Sequence, residues 1–364
     1  MRIAFFIFVI LHGLIHLLGF VKAFGLSDVK QLTQNISKPF GLIWLLAFSF
    51  FVIAAILFAL ENSNWWLFGI IALVTSQILI IFSWQDAKFG TIANVIILIA
   101  VIIGYGTSGY YHKYQKDVKT GLHQKEYFQP TELTETDIQQ LPEPVKKYIR
   151  FTGSIGKPKV NNFKMEFTGK IRKNEQSEWM PFTSEQYNFM ETPTRLFFMK
   201  AVMKGLPVAG YHCFKNGDAY MDIRLFSLFK VQYLDGAAMD LTETVTFFND
   251  MCCMAPPTLI DKRIKWLAVE NNKVKASFTN NNSTVIAWLY FNDNGELINF
   301  ISDDRYSADA AKKLPWSTPL KNYREINGYN LAGNADVIYS YPDRELCYGM
   351  FKLVSISYNC KTID

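Results

Sequence analysis

The run PFGLIWLLAFSFFVIAAILFAL, residues 39–60, carries no ionisable side chain over its whole length. At 1.5 Å rise per residue, a helix of about 20 residues crosses the ~30 Å hydrocarbon core of a bilayer. A core helix of a water-soluble domain would show a polar stripe, and this run shows none. Three comparable runs occur at residues 3–20, 65–84 and 91–111. Trp65, Trp66, Trp84, Tyr110 and Tyr111 sit at run ends, where amphipathic rings favour the headgroup layer. Arg2 ahead of the first run resembles the start of a secretory signal. However, Lys22-Ala23-Phe24-Gly25 is a poor cleavage site and three more runs follow, so the first run reads as a retained helix.

The chain therefore divides into a four-helix transmembrane domain over 1–111, a polar linker over 112–132, and a strand-rich soluble domain over 133–364. The loop after the first run carries Lys22, Lys30 and Lys38, the next carries no Lys or Arg, and the third carries Lys88. Positive residues favour the cytoplasm, which puts the C-terminal domain at the outer face of the cytoplasmic membrane. The lysines of the linker (Lys113, Lys116, Lys119 and Lys125) argue the other way. They lead into a long domain whose translocation depends little on charge.

A net charge of +5 is spread along the chain, with one cluster in the linker that suits anionic headgroups. Nucleic acid is excluded as a partner by the lack of a basic helix, an RNA-binding strand motif or zinc-finger spacing. The five cysteines, Cys213, Cys252, Cys253, Cys347 and Cys360, are odd in number and show no C-x-x-C, so no disulfide framework is implied.

Beyond residue 133 the periodicity shortens. Thr134 with Asp137 gives an N-terminal cap signal, and Pro144 opens a short helix presenting Val145, Tyr148 and Ile149, stopped by Gly153. From Val160 the period is two: Phe163, Met165 and Phe167 alternate with polar neighbours, as do Val274, Ala276 and Phe278. Asn216-Gly217, Asn271-Asn272, Asn294-Gly295 and Asn327-Gly328 supply hairpin turns between such runs. Roughly a dozen short strands predict a mostly antiparallel, strongly curved sheet, a β half-barrel. One helix interrupts them. Asp240 and Glu243 read as its capping pair, Pro256-Pro257 ends it, and Leu241, Val245, Phe248 and Cys252 form an apolar stripe. Such a wide stripe predicts packing on the concave face of the sheet.

His12-Gly13-Leu14-Ile15-His16, Asp86-Ala87-Lys88-Phe89-Gly90-Thr91, Gly205-Leu206-Pro207-Val208, Glu243-Thr244-Val245-Thr246-Phe247, Ser302-Asp303-Asp304-Arg305-Tyr306 and Trp316-Ser317-Thr318-Pro319 resemble an uncharacterised family of bacterial membrane proteins. That family has no assigned activity. The C-terminal domain also resembles the periplasmic lipoprotein-localisation (Lol) carriers and their half-barrel relatives. This second likeness rests on strand order, the Pro193-Thr194-Arg195 turn, and an apolar mid-domain helix ending in prolines. It implies a curved sheet, closed by helices, that shelters acyl chains. Those carriers are soluble or lipid-anchored, whereas this chain has four apolar runs.

Several residues invite a functional reading beside a plainer one. His12 and His16, at i and i+4 on the first run, suit a haem, metal or headgroup site, and equally suit interhelical hydrogen bonding beside Gly13 and Gly19. Asp86 and Lys88 in the third loop suit a docking site or a self-paired, helix-capping turn. Asp303 and Asp304 point to opposite faces if on a strand, while Asp303 and Arg305 share a face and can pair. His212 is the only histidine beyond the linker, and no G-x-S-x-G elbow, H-E-x-x-H or phosphate-binding glycine loop accompanies it. No motif points to a cofactor or metal. Met199, Met203, Met221, Phe226, Phe229, Phe248 and Met251 form a set suited to accommodating hydrocarbon, and equally to an ordinary core.

The sequence reading is thus a membrane-tethered module that binds a lipid or other hydrophobic molecule and makes no covalent change to it. Two alternatives stand beside it. One is a membrane-anchored, hydrolase-like enzyme using Glu243, Asp304 or Arg305. The other is an interaction subunit docking a membrane-protein partner.

Overall fold

The structure, a computed structural model, describes residues 2–123, 131–307 and 312–363. The chain forms two compact units, residues 1–112 with Phe226–Leu228, and Lys113–Leu225 with Phe229–Asp364.

The first unit holds four long helices at the expected positions: α1 (Arg2–Ala23), α2 (Lys38–Ala59), α3 (Trp65–Phe82) and α5 (Gly90–His123), with a single turn, α4 (Trp84–Ala87), before the last. All four are long and apolar enough to cross a membrane. Small residues set the approach of α1 to α2. A Cβ on Gly19 would lie 2.1 Å from the Trp44 ring, and one on Gly13 would lie 2.9 Å from Phe51.

α5 departs from the sequence reading. It continues to His123, so residues 112–123 of the expected linker are helical. Tyr114 and Val118 are fully buried and Gly121 packs on Phe189, a helical stripe closed by a small residue and set among lysines. Lys125, read as part of the basic linker, lies outside the described residues.

The second unit is built around one antiparallel sheet of fourteen strands. After α6 (Glu143–Phe151) come β1 (Asn162–Ile171), β2 (Met180–Phe189), β3 (Thr194–Met203), β4 (Leu206–Lys215), β5 (Asp218–Leu225) and β6 (Phe229–Asp235). Helix α7 (Ala237–Met254) follows. The remaining strands are β7 (Ile264–Glu270), β8 (Lys273–Asn280), β9 (Ser283–Phe291), β10 (Leu297–Tyr306), β11 (Lys313–Ser317), β12 (Leu320–Ile326), β13 (Tyr329–Ser340) and β14 (Glu345–Tyr358). The order runs from β6 to β1, then β14, β13, β11 and on to β7, with β12 paired to β13.

Turn chemistry fixes the hairpins. Asn216 and Gly217 take φ of 51° and 99°, and Asn327 and Gly328 take 50° and 77°, the left-handed pair that matches strand twist. Alternation then does the rest: Phe163 and Met165 of β1, and Val274, Ala276 and Phe278 of β8, are fully buried on one face. α6 buries Val145, Tyr148 and Ile149 as expected, and Gly153 follows with φ of 67°.

The order has one further consequence. β6 and β7 are consecutive in sequence yet form opposite edges of the sheet, so α7 must cross between them. At 18 residues it has about 27 Å to do so. It packs on β4, β5 and β6 on one side and on β9, β10 and β13 on the other, which places it along the concave face. The helix starts at Ala237 after Gly236, whose φ of 80° breaks the strand. Asp240 is therefore not its cap, and its carboxylate instead accepts the backbone N–H of Ala219 at 2.7 Å.

Phe247, Phe248, Met251 and Cys252 are fully buried, so α7 fills the concave face with side chains. Phe248 stacks on Phe278 at 5.5 Å and meets Phe300 edge-on at 5.6 Å. Phe248→Ala is expected to cost about 3–5 kcal/mol, because the sheet cannot collapse onto the space left behind. A lowered urea midpoint for loss of β structure, followed by circular dichroism on the detergent-solubilised chain, checks this.

Candidate functional site

α7 carries polar residues along much of its length, and one row of them faces a polar patch of the sheet. Glu243, Thr246 and Asp250, spaced i, i+3 and i+7, fall on one face. Opposite them, cross-strand register aligns Asn188 of β2 with Arg195 of β3, and Gln186 of β2 with Phe197 of β3, which is in turn beside His212 of β4. These four polar residues interrupt a concave face otherwise lined by Phe197, Met199, Phe214 and Met221.

Arg195 is the hub. Its Nη1 donates to Glu243 Oε2 at 2.9 Å, its Nε to Asp250 Oδ2 at 2.8 Å, and its Nη2 to Gln186 Oε1 at 2.9 Å. Gln186 and Asn188 also donate to Asp250 Oδ2, at 2.6 and 3.1 Å. His212 Nδ1 meets the other oxygen of Glu243 at 3.3 Å, with its ring edge-on to Phe197. From the far half of the sheet, Arg305 donates to the hydroxyl of Thr246, and its Nε donates to Tyr339 Oη at 2.9 Å. Its guanidinium lies 4.4 Å from the Trp316 ring. The polar row of α7 thus ties together strands from both halves of the sheet.

Burial alone would push the Glu243 carboxyl up, but the Arg195 guanidinium, His212 and Arg305 outweigh it and hold the group at about 2. Asp250 moves the other way: burial raises it, and Arg195, Asn188 and Gln186 offset only part of that. Burial also pushes the thiols of Cys252 and Cys253 well up, which keeps them in the unreactive protonated form. Among the described residues, no group of three or more His, Cys, Asp or Glu is placed to hold a metal ion.

The sequence-derived candidates divide. Glu243 and Arg305 join this cluster, and His212 with them. Asp304 does not: it accepts the backbone N–H of Ile286 and the Lys313 ammonium, each at 2.8 Å. Arg305 bonds α7 and Tyr339 where the alternation had paired it with Asp303, because the β10–β11 register slips between Ser302 and Arg305. Met199, Met221, Phe248 and Met251 belong to the concave core. Met203 ends β3, Phe229 is 64% exposed at the start of β6, and Phe226 groups with the helical unit. The sequence reading missed Arg195 as a site residue, along with Asp250, Gln186 and Asn188. The i, i+3, i+7 row of polar residues on α7 was the available signal.

In the helical unit, His12 Nε2 meets Asn94 Oδ1 at 2.9 Å, and His16 Nε2 meets Ser76 Oγ at 2.9 Å. Asn94 also donates to Ser76 and Gln77, so one polar network joins α1, α3 and α5. Asp86 accepts from the backbone and hydroxyl of Thr33, at 2.6 and 2.8 Å. It thereby fastens the first loop to the turn before α5.

Fold and site together define a curved antiparallel half-barrel whose concave face is occupied by a helix and fastened by a buried charge cluster. The model of a family of unknown function, DUF6544, matches residues 131–351, and the chain belongs to that family. A search of curated proteins returned no match. Among solved structures, the chain is similar to an outer membrane lipoprotein-sorting protein domain from Vibrio parahaemolyticus at 12% identity and a TM-score of 0.34. That similarity covers 56% of this chain and 88% of the other. It is also similar to a LolA superfamily protein from Nitrosomonas europaea, at 10% identity and a TM-score of 0.33 over 60% and 92% of the two chains. A DUF1329 family protein from Desulfovibrio piger gives 11% identity and a TM-score of 0.35 over 64% and 96%.

The shift of Glu243 carries a pH dependence. A carboxyl held at about 2 when folded, against 4.5 ordinarily, stabilises the fold above about pH 4.5. That contribution is lost as pH falls towards 2. Glu243→Gln is expected to be less stable than the parent at neutral pH and to show a shallower acid loss below pH 4.5. Arg195→Met leaves two buried carboxylates without their partner and is expected to cost about 3–5 kcal/mol. Thermal unfolding in detergent across a pH series measures both.

Proposed function

We propose that this protein is a membrane-tethered module that binds a lipid or another hydrophobic molecule between the sheet and α7, without catalysis. The four apolar helices hold it in the cytoplasmic membrane, and the β domain works at the outer face. The observation that carries this reading is the pairing of an extended apolar concave surface with a crossing helix whose buried charges are gathered at Arg195. Phe214 of the sheet meets Phe247 of α7 at 5.9 Å, and Phe197, Met199, Met221, Phe248 and Met251 belong to the same core, a set of flexible thioethers and rings suited to hydrocarbon. With α7 seated, side chains fill that space, so ligand takes the place of part of the helix face as the Arg195 cluster opens.

A photoreactive, diazirine-bearing palmitate analogue, added to membranes containing the full chain, tests this. Cross-links are expected on peptides covering 194–254 as well as on the apolar helices, with Arg195→Met increasing the former severalfold. Label confined to residues 2–111 would leave a solid core and favour the partner-docking alternative.

A further inference from the structure

We propose that two hairpin ends of the β domain, β3–β4 and β5–β6, insert into the headgroup layer of an anionic bilayer. The inference rests on the reading of the four apolar helices as membrane spans.

Register puts the two ends side by side. Met203 pairs with Leu206 across the first hairpin and Leu225 with Phe229 across the second, and Val208 of β4 pairs with both Ala201 and Leu225. Both ends expose what a folded domain normally hides. Val202 is 49% exposed, Leu206 43%, Phe229 64% and Val231 52%. Lys200, Lys204 and Lys230 are exposed among them, and residues 199–207 and 224–232 contain no Asp or Glu. Apolar side chains interleaved with lysines, without acidic residues, match the interfacial zone of an anionic leaflet better than a protein surface or water.

Backbone geometry at the second hairpin agrees. Phe226 and Ser227 hold φ of 54° and 58°, a region in which Gly or Asn is at ease and a phenylalanine is strained. The turn keeps a large apolar side chain at its apex against that preference.

Within the β domain, the last turns of α5 run along β3 and β4. Tyr114 packs on Phe198 and Tyr211 in mid-strand. Asp117 bonds Lys215 near the far end of β4, and Gly121 meets Phe189, which pairs with Thr194 at the far end of β3. The helix thus advances from mid-strand towards the ends opposite the two hairpins.

Site-directed spin labelling of the full chain, reconstituted in phosphatidylcholine–phosphatidylglycerol vesicles, tests the proposal. Cys347 and Cys360 are replaced by Ser, and single labels go to Leu206→Cys, Phe229→Cys, Ile99→Cys on α5 and Asn294→Cys in the β9–β10 turn. Labels at 206 and 229 are expected to show severalfold higher accessibility to oxygen relative to a nickel chelate than the label at 294. That ratio is expected to fall when phosphatidylglycerol is omitted. Equal nickel accessibility at 206, 229 and 294, with 99 lipid-exposed, overturns the insertion and leaves the spans intact. Labels at 206 and 229 shielded from both reagents indicate a protein partner and also overturn it. A label at 99 open to nickel removes the membrane reading itself, and this proposal with it.

Discussion

The architecture turns on a chain that must pass from one edge of a fourteen-strand sheet to the other and on the charge cluster that fastens it midway. Because β6 and β7 are the two edges, the connection crosses the concave face. A helix is the economical way, since it satisfies its own backbone hydrogen bonds in an apolar hollow. Arg195 then fixes the register of that helix, with one carboxylate about a turn away on each side of Thr246. An apolar helix on an apolar sheet could slide or rotate with little penalty. Three charged groups meeting within 3 Å cannot, because any slip leaves one of them buried and unpaired. The cluster therefore supplies position more than stability.

This division of labour leaves Glu243 and Asp250 as the two α7 carboxylates that Arg195 binds. The apolar side chains of α7 contribute area. Fully burying a Phe or Met side chain is worth about 1.5–3 kcal/mol, so Phe247, Phe248 and Met251 alone hold the helix firmly. Burying charge elsewhere along it would oppose that term. In the helical unit the same logic recurs on a smaller scale: midway along α1, between the polar contacts of Arg2 and Lys22 at its ends, His12 and His16 join Asn94 and Ser76 in a buried polar link between helices.

Much of this was legible in the sequence. Uncharged runs of span length gave all four long helices, and two-residue alternation with Asn-Gly turns gave the hairpins. The misses share a cause, which is that local pattern does not encode long-range partners. The linker was read as polar because Lys113, Lys116 and Lys119 dominate its composition, yet Tyr114 and Val118 on the other face make it a docked helix. Glu243 looked like a capping residue because its spacing from Asp240 fits one, whereas Arg195, 48 positions earlier, claims it. Arg305 was assigned by simple alternation, and a register slip re-aimed it. Arg195 itself could be seen only as part of a turn, since nothing local indicates two carboxylates on a helix not yet reached.

A filled concave face changes the energetics of the proposed binding. A hydrocarbon chain leaving water gains about 0.8 kcal/mol per methylene, but one leaving a bilayer gains almost none of that, since lipid tails are already apolar. Ligand entry therefore cannot be driven by the ligand alone. What α7 gives up in contacts must be recovered by α7 itself, and the side chains that lose their partners are Phe247, Phe248 and Met251. Water offers them nothing. A bilayer interface would, so on the proposed membrane-tethered reading the membrane is also the medium in which the helix leaves its groove at modest cost.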